Sequence, residues 1–194
     1  MQSRPLFKLL SSLLKRALPL AILLSGAAQA ADLDVAQRQW LAGQRQQAVA
    51  TIEKALSANP NELKLRFALG VMRMELGELD QATKLFTALT QDFPDIAEPY
   101  NNLAVIQAAR GELTQAQNSL EQALALQPAH AQALENLGDV LLRQAARAFQ
   151  SAQQAQTAPS ASLTQKLKLT QELLSQTQGS QTQGTRPLDK AALQ

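Results

Sequence analysis

Residues 63–94 read LKLRFALGVMRMELGELDQATKLFTALTQDFP, and residues 95–128 read DIAEPYNNLAVIQAARGELTQAQNSLEQALALQP. Aligned on their glycines, the two stretches are copies set 34 residues apart. Gly77 answers to Gly111, Ala82 to Ala116 and Pro94 to Pro128. An earlier copy keeps the same three marks at Gly43, Ala48 and Pro60. A fixed period of this length marks a repeat architecture, in which each unit buries its apolar face only against its neighbours.

Each copy reads as two helices and a turn. The first spans residues 32–42 and 44–58 around Gly43, the second 61–76 and 78–92 around Gly77, the third 95–110 and 112–127 around Gly111. Glycine supplies a tight or left-handed turn at no Cβ cost. Proline ends each second helix, because it has no N–H and clashes with the preceding turn. Pro99 fits only the opening turn of its helix. Apolar residues recur at helical steps, as Leu79, Ala82, Leu85, Phe86 and Leu89 and again as Leu113, Ala116, Leu120, Ala123 and Leu124. Composition agrees: Ala, Leu and Gln cost little side-chain entropy in a helix, and β-branched residues are sparse.

With these residues in view, the array resembles the tetratricopeptide repeat, whose pattern runs W-x2-L-G-x2-Y, then A-x3-F, then P. The second copy offers Arg66, Leu69, Gly70 and Arg73, then Ala82 and Phe86, then Pro94. The third offers Tyr100, Leu103, Ala104 and Gln107, then Ala116 and Leu120, then Pro128. The first is weaker, with Asp32, Val35, Ala36 and Gln39, then Ala48 and Ile52, then Pro60. The resemblance covers about residues 32–149. It implies an all-α fold, a right-handed superhelical solenoid of antiparallel helix pairs, closed by a C-terminal capping helix.

The expected organisation follows. Residues 31–157 form the array, in full repeats at about 31–60, 61–94 and 95–128 and an atypical fourth at 129–157. The fourth opens well with Leu134, Leu137, Gly138 and Leu141, but Ala145 stands where a turn glycine belongs. Its turn is expected to be shortened or lost. Ser160 or Ser162 can cap a last helix, 158–175, whose Leu163, Leu167 and Leu174 form an apolar stripe beside Leu169 and Leu173. Residues 176–194, rich in Gln, Thr, Ser and Gly, are expected to be a disordered polar tail.

Residues 1–30 have a basic start, an apolar core at 17–24 and an Ala28-Gln29-Ala30 ending, the anatomy of a secretory signal peptide cleaved between Ala30 and Ala31. The expected location is therefore periplasmic or secreted, with no stable membrane anchor after cleavage. Those 30 residues hold Arg4, Lys8, Lys15 and Arg16 and no acid, so the overall charge of +2 becomes −2 without them. No basic run remains to bind nucleic acid.

The absence of Cys excludes disulfides and thiol chemistry. A lone histidine, His130, has no second His or Cys to build a metal site. No catalytic motif and no cofactor motif is present, so no enzyme and no cofactor are expected. The strongest functional signal is Asn102 and Asn136, each before the repeat's Leu and 34 residues apart. Asn gains nothing from packing inside a helix, yet its amide suits a peptide backbone. The resemblance implies that such helices line a concave groove and that an Asn at this place contacts ligand main chain. A bridge between neighbouring helices is the alternative reading. Helical steps from the pair put Asn101, Val105, Glu135, Asp139 and Arg143 on the same face, continued by Lys64, Phe67, Val71, Met74 and Glu75. The two-lysine, one-arginine cluster of chaperone-tail-binding relatives is missing. Tyr100 falls on the family's packing position, and Trp40 fits either groove or interface. The expectation is a non-enzymatic adaptor holding a peptide segment of an envelope protein. Self-assembly through the convex face or the terminal helix, and a general periplasmic holdase, are the alternatives.

Overall fold

The computed structural model describes residues 31–158 and 160–181. The expected signal peptide, with Ala30, and residues 182–194 of the expected tail lie outside the described residues, and Ala31, the first described residue, is helical. Among the described residues there are eight helices and no strand: α1 at 31–41, α2 Arg45–Ala58, α3 Leu63–Glu75, α4 Leu79–Asp92, α5 Ala97–Ala109, α6 Leu113–Leu126, α7 Ala131–Gln154 and α8 Ala161–Gln181. They fall into two compact units that divide between Ala68 and Leu69, inside α3.

One turn is built three times. Gly43, Gly77 and Gly111 sit at φ 78°, 77° and 78°, a left-handed region that costs an L-residue about 1–2 kcal/mol. Around Gly77, the glycine N–H donates to Met74 O at 3.0 Å and Glu78 N–H donates to Arg73 O at 2.9 Å. The same pair of bonds closes the turns at Gly43 and Gly111. This is the Schellman arrangement, which satisfies the last carbonyls of a helix while reversing the chain. Arg73 also pairs with Glu78 across the Gly77 turn. The proline corners repeat too: Glu62, Ile96 and His130 N–H donate to Asn59, Phe93 and Gln127 O.

In the first unit, Ala36, Ala48 and Ile52 are sealed from solvent. Thr51 Oγ1 donates to Gln39 Oε1 at 2.8 Å and so ties α2 to α1. Trp40 is interior, and the Arg45 guanidinium lies 5.2 Å from its ring centroid. Such a cation–π contact is worth about 0.5–1 kcal/mol at an open site.

In the second unit α4 packs on α5, α5 on α6, α6 on α7 and α7 on α8, and α5 also reaches α7. Its core joins Ala97, Ala104, Leu113, Ala116, Leu120, Ala123, Ala133 and Val140, with Tyr100 and Leu137 packed against it. Five of these eight are alanines, so the helix backbones can approach closely. Tyr100 is therefore a packing residue, and its hydroxyl donates to Thr90 O at 3.3 Å. Gly70 shows the tightest approach: a Cβ there would lie 2.8 Å from the Phe86 ring, which is fully buried.

Ala145 does not turn. α7 passes straight through it for 24 residues, because Ala is the best helix former and is penalised in the left-handed region. Ser160 Oγ caps α8 by accepting from Leu163 N–H at 3.2 Å. Leu167 is buried and Leu163 and Leu174 are half-buried, so the stripe offered for self-assembly is used inside the chain. Leu169 and Leu173 are about half exposed. α8 ends at Gln181, so residues 176–181 are helical rather than part of a disordered tail. Adding a residue to an existing helix fixes one residue for one hydrogen bond, and Gln tolerates this well.

Gly70 and Gly138 hold the same place in the period but different surroundings, since nothing lies within 4 Å of a Cβ built on Gly138. Gly70→Ala should lower unfolding stability by about 1–3 kcal/mol, as overpacking does. Gly138→Ala should leave it unchanged or raise it by up to about 1 kcal/mol through helix propensity. Urea unfolding of both variants checks the pair; equal losses would contradict the packing described.

Candidate functional site

In the second unit, α5 and α7 lie side by side and expose matching strips. On α5 the strip steps through Glu98, Asn102, Val105 and Ala109, with Val105 37% exposed. On α7 it steps through Gln132, Asn136, Asp139 and Arg143, with Glu135 exposed beside them. The spacing of three and four residues keeps each strip on one helix face.

The two asparagines differ. Asn102 Nδ2 donates to Glu98 O of its own helix at 2.9 Å, which leaves its Oδ1 at the half-open surface as an acceptor. Asn136 Nδ2 donates to Asn101 Oδ1 at 2.9 Å and so joins α7 to α5. Asn101 is 7% exposed, an interior residue rather than a groove residue. Arg143 is also engaged, donating through Nη1 to Ala108 O at 3.3 Å. One turn on, Arg147 donates to Gly111 O at 3.1 Å. Gln144 Nε2 reaches Leu113 O and Gln117 Oε1. The side of α7 facing the third repeat is thus a row of polar side chains on the end of α5 and the start of α6. Two of these bonds go to side-chain amides, of Asn101 and Gln117, and three to backbone carbonyls, of Ala108, Gly111 and Leu113.

The charged groups along the paired strips are mostly acidic: Glu98, Glu135 and Asp139, with Arg143 at one end held by a carbonyl. Gln132 Nε2 reaches both Glu135 Oε2 and Asn136 Oδ1 at 3.3 Å. Glu98 and Gln132 were not singled out from the sequence, although each stands four residues before one of the asparagines. Val71 and Met74, in the last turns of α3, are half-buried. In the first unit Phe67 is 7% exposed and belongs to the interior, while Lys64 is exposed.

Other chemistry finds little support. Among the described residues no group of His, Cys, Asp and Glu is placed to hold a metal ion. His130 is the N-cap of α7, its Nδ1 accepting from Ala133 N–H at 3.2 Å, a role that its place after Pro128 could have suggested. Among the described residues no helix is long and apolar enough to cross a membrane. A shallow cleft lined by Ala108, Arg143, Ala146, Arg147, Gln150 and Leu174 marks where α8 lies on α7.

Comparison with known proteins agrees with this architecture. Two tetratricopeptide repeat models match, over residues 39–104 and 101–162. No protein of curated function matches. Among solved structures, the first tetratricopeptide domain of Spaghetti (RPAP3), bound to the HSP90 peptide SRMEEVD, aligns at 16% identity. Its TM-score is 0.56, over 60% of this chain and 93% of its own. YrrB, described as having an unusual peptide-binding site, aligns at 26% identity and TM-score 0.52, over 55% of each chain. MamA aligns at 22% identity and TM-score 0.56, over 76% of this chain and 82% of its own. From the period, the repeated glycine turns and these two matches, the chain belongs to the tetratricopeptide repeat family.

Proposed function

We propose that the chain is a non-enzymatic adaptor of the cell envelope, which holds an extended, positively charged segment of a partner protein along the face that α5 and α7 present. The observation that carries this reading is the paired strip of Glu98, Asn102, Val105, Glu135 and Asp139. Asn102 Oδ1 can accept from a peptide N–H, and Val105 offers an apolar contact between the polar ones. Glu98, Glu135 and Asp139 favour Lys or Arg on the ligand and repel an acidic tail. The peptide named with the RPAP3 domain, SRMEEVD, is acidic at its end. A strip dominated by carboxylates selects the opposite charge.

Export supports the envelope as the setting. It rests on the basic, apolar and small-residue order of residues 1–30. If the reading holds, the exported chain begins at Ala31. Mass spectrometry of the N-terminus in a bacterial periplasmic fraction checks this, and a retained residue 1 there would remove the envelope from the proposal.

The two asparagines should separate by experiment. Asn102→Ala should weaken binding of a Lys-containing synthetic peptide about 3- to 10-fold, the effect of one hydrogen bond, with thermal stability unchanged. Asn136→Ala should instead lower stability by about 1 kcal/mol, through loss of its bond to Asn101. Glu135→Lys should weaken the same peptide and reduce the salt dependence of binding. Titration calorimetry with Lys-containing and Asp-containing peptides of equal length is the measurement. A preference for the acidic peptide, or full affinity in Asn102→Ala and Glu135→Lys together, would overturn the groove assignment.

A further inference from the structure

In the full repeats, the face of the first helix that carries the small residue is covered by that repeat's own second helix. In the second repeat, Phe86 of α4 rests against Gly70. In the third, Ala104 is 1% exposed under α6, and Ser119 Oγ of α6 donates to Gln107 Oε1 at 2.8 Å. In the first, Gln39 of α1 takes the equivalent bond from Thr51 of α2. The covering helices share one signature, a small residue followed four positions later by a bulky apolar one. Ala48 and Ile52, Ala82 and Phe86, and Ala116 and Leu120 are all 0% exposed.

The fourth repeat has the seat without the cover. Its equivalent face is Leu134, Gly138 and Leu141, at the steps of four and three that keep one side of α7. Leu134 is 51% exposed and Leu141 45% exposed. Gly138 is exposed, with nothing within 4 Å of the place where its Cβ would stand. Among the described residues no second helix covers this face, because α7 runs on through Ala145 where the other repeats turn back. Nor does α8 fill it. Leu174 of α8 lines one cleft with Arg143, Ala146, Arg147 and Gln150, which lie on the opposite side of the helix from Leu134 and Leu141.

We propose that the Leu134–Gly138–Leu141 face of α7 is a docking seat for an amphipathic helix of a partner protein. That helix presents a small residue and, four positions later, a Phe or Leu side chain over Gly138. The occupant is identified by continuity, since the seat extends the interface that α4 and α6 already make two repeats and one repeat earlier. Gly70 shows the fit, with an aromatic ring lying where a Cβ would otherwise be. This is helix-in-groove recognition, a mode separate from extended-peptide binding on the strips of α5 and α7. The second site lies on another face of α7, so one chain can bridge two partners.

The test uses a labelled synthetic peptide of residues 78–93, the α4 sequence, which carries the signature as Ala82 and Phe86. Titrating the full chain into it, followed by anisotropy, should give saturable binding, with helix forming in the peptide on binding. Phe86→Ala in the peptide should weaken binding about tenfold or more, the effect of withholding one buried ring. Leu134→Asp with Leu141→Asp in the protein should do the same, and Gly138→Leu should block the seat while keeping α7 helical. The positions are exposed, so none of these substitutions should unfold the chain, and Gly138→Leu should hold or raise its thermal stability, which serves as the control for folding. Absent binding, or binding indifferent to Phe86→Ala and to Gly138→Leu, overturns the proposal. A concentration-dependent dimer mass that the Leu134→Asp and Leu141→Asp substitutions abolish also overturns it, by giving the seat to a second copy.

Discussion

The reversal of the backbone at a left-handed glycine is the constraint on which the helix pairs depend. A helix ends with carbonyls unanswered, and a chain that must fold back on itself has about four residues in which to answer them. At Gly77 the glycine N–H and Glu78 N–H do so together, and the next helix then starts antiparallel to the last. Repeating that geometry at Gly43 and Gly111 gives three pairs with the same internal arrangement. Side chains then need only repeat at the same spacing to meet the same partners. Gln39 with Thr51 and Gln107 with Ser119 are one contact made twice.

Where the constraint is lifted, the structure changes in kind. With Ala145 in place of glycine, nothing pulls the chain out of the helix. The fourth repeat keeps its first helix and loses its partner. The polar side of α7 still closes on the third repeat through Asn136, Gln144, Arg143 and Arg147. The stack therefore ends with one face of α7 bonded into the array and Leu134, Gly138 and Leu141 exposed on another.

The fold could be read from glycine, proline and alanine at a fixed spacing, because each of those residues acts on the backbone alone. The site was less legible. Asn102 and Asn136 occupy the same place in consecutive repeats, yet one bonds within its own helix and the other across to Asn101. An amide takes whichever partner its surroundings offer, and those surroundings are set by the neighbouring repeat. Phe67 and Asn101 fall on steps that helical spacing places near the groove, but they are interior, because spacing gives an angle about one helix and not the position of the next. The open face of α7 was hidden for a related reason. Leu134 and Leu141 look like core residues until the side of α7 taken by α8 is known. The helical stretch at 176–181 looked too polar to be ordered, and it extends a helix already begun at Ala161.

The two arginines of α7 have a further consequence. Arg143 and Arg147 hold the carbonyls of Ala108 and Gly111, which lie at the negative end of α5. The third repeat therefore has its helix end sealed by residues of the fourth. Peeling α7 away would remove both arginine bonds and expose Ala133 and Val140 at once. Fraying from the carboxyl end thus meets a step at α7: α8 can open alone, but α7 cannot leave without loosening the helix before it. In amide exchange, the end of α5 and the middle of α7 would behave as one cooperative unit, although about 35 residues separate them along the chain.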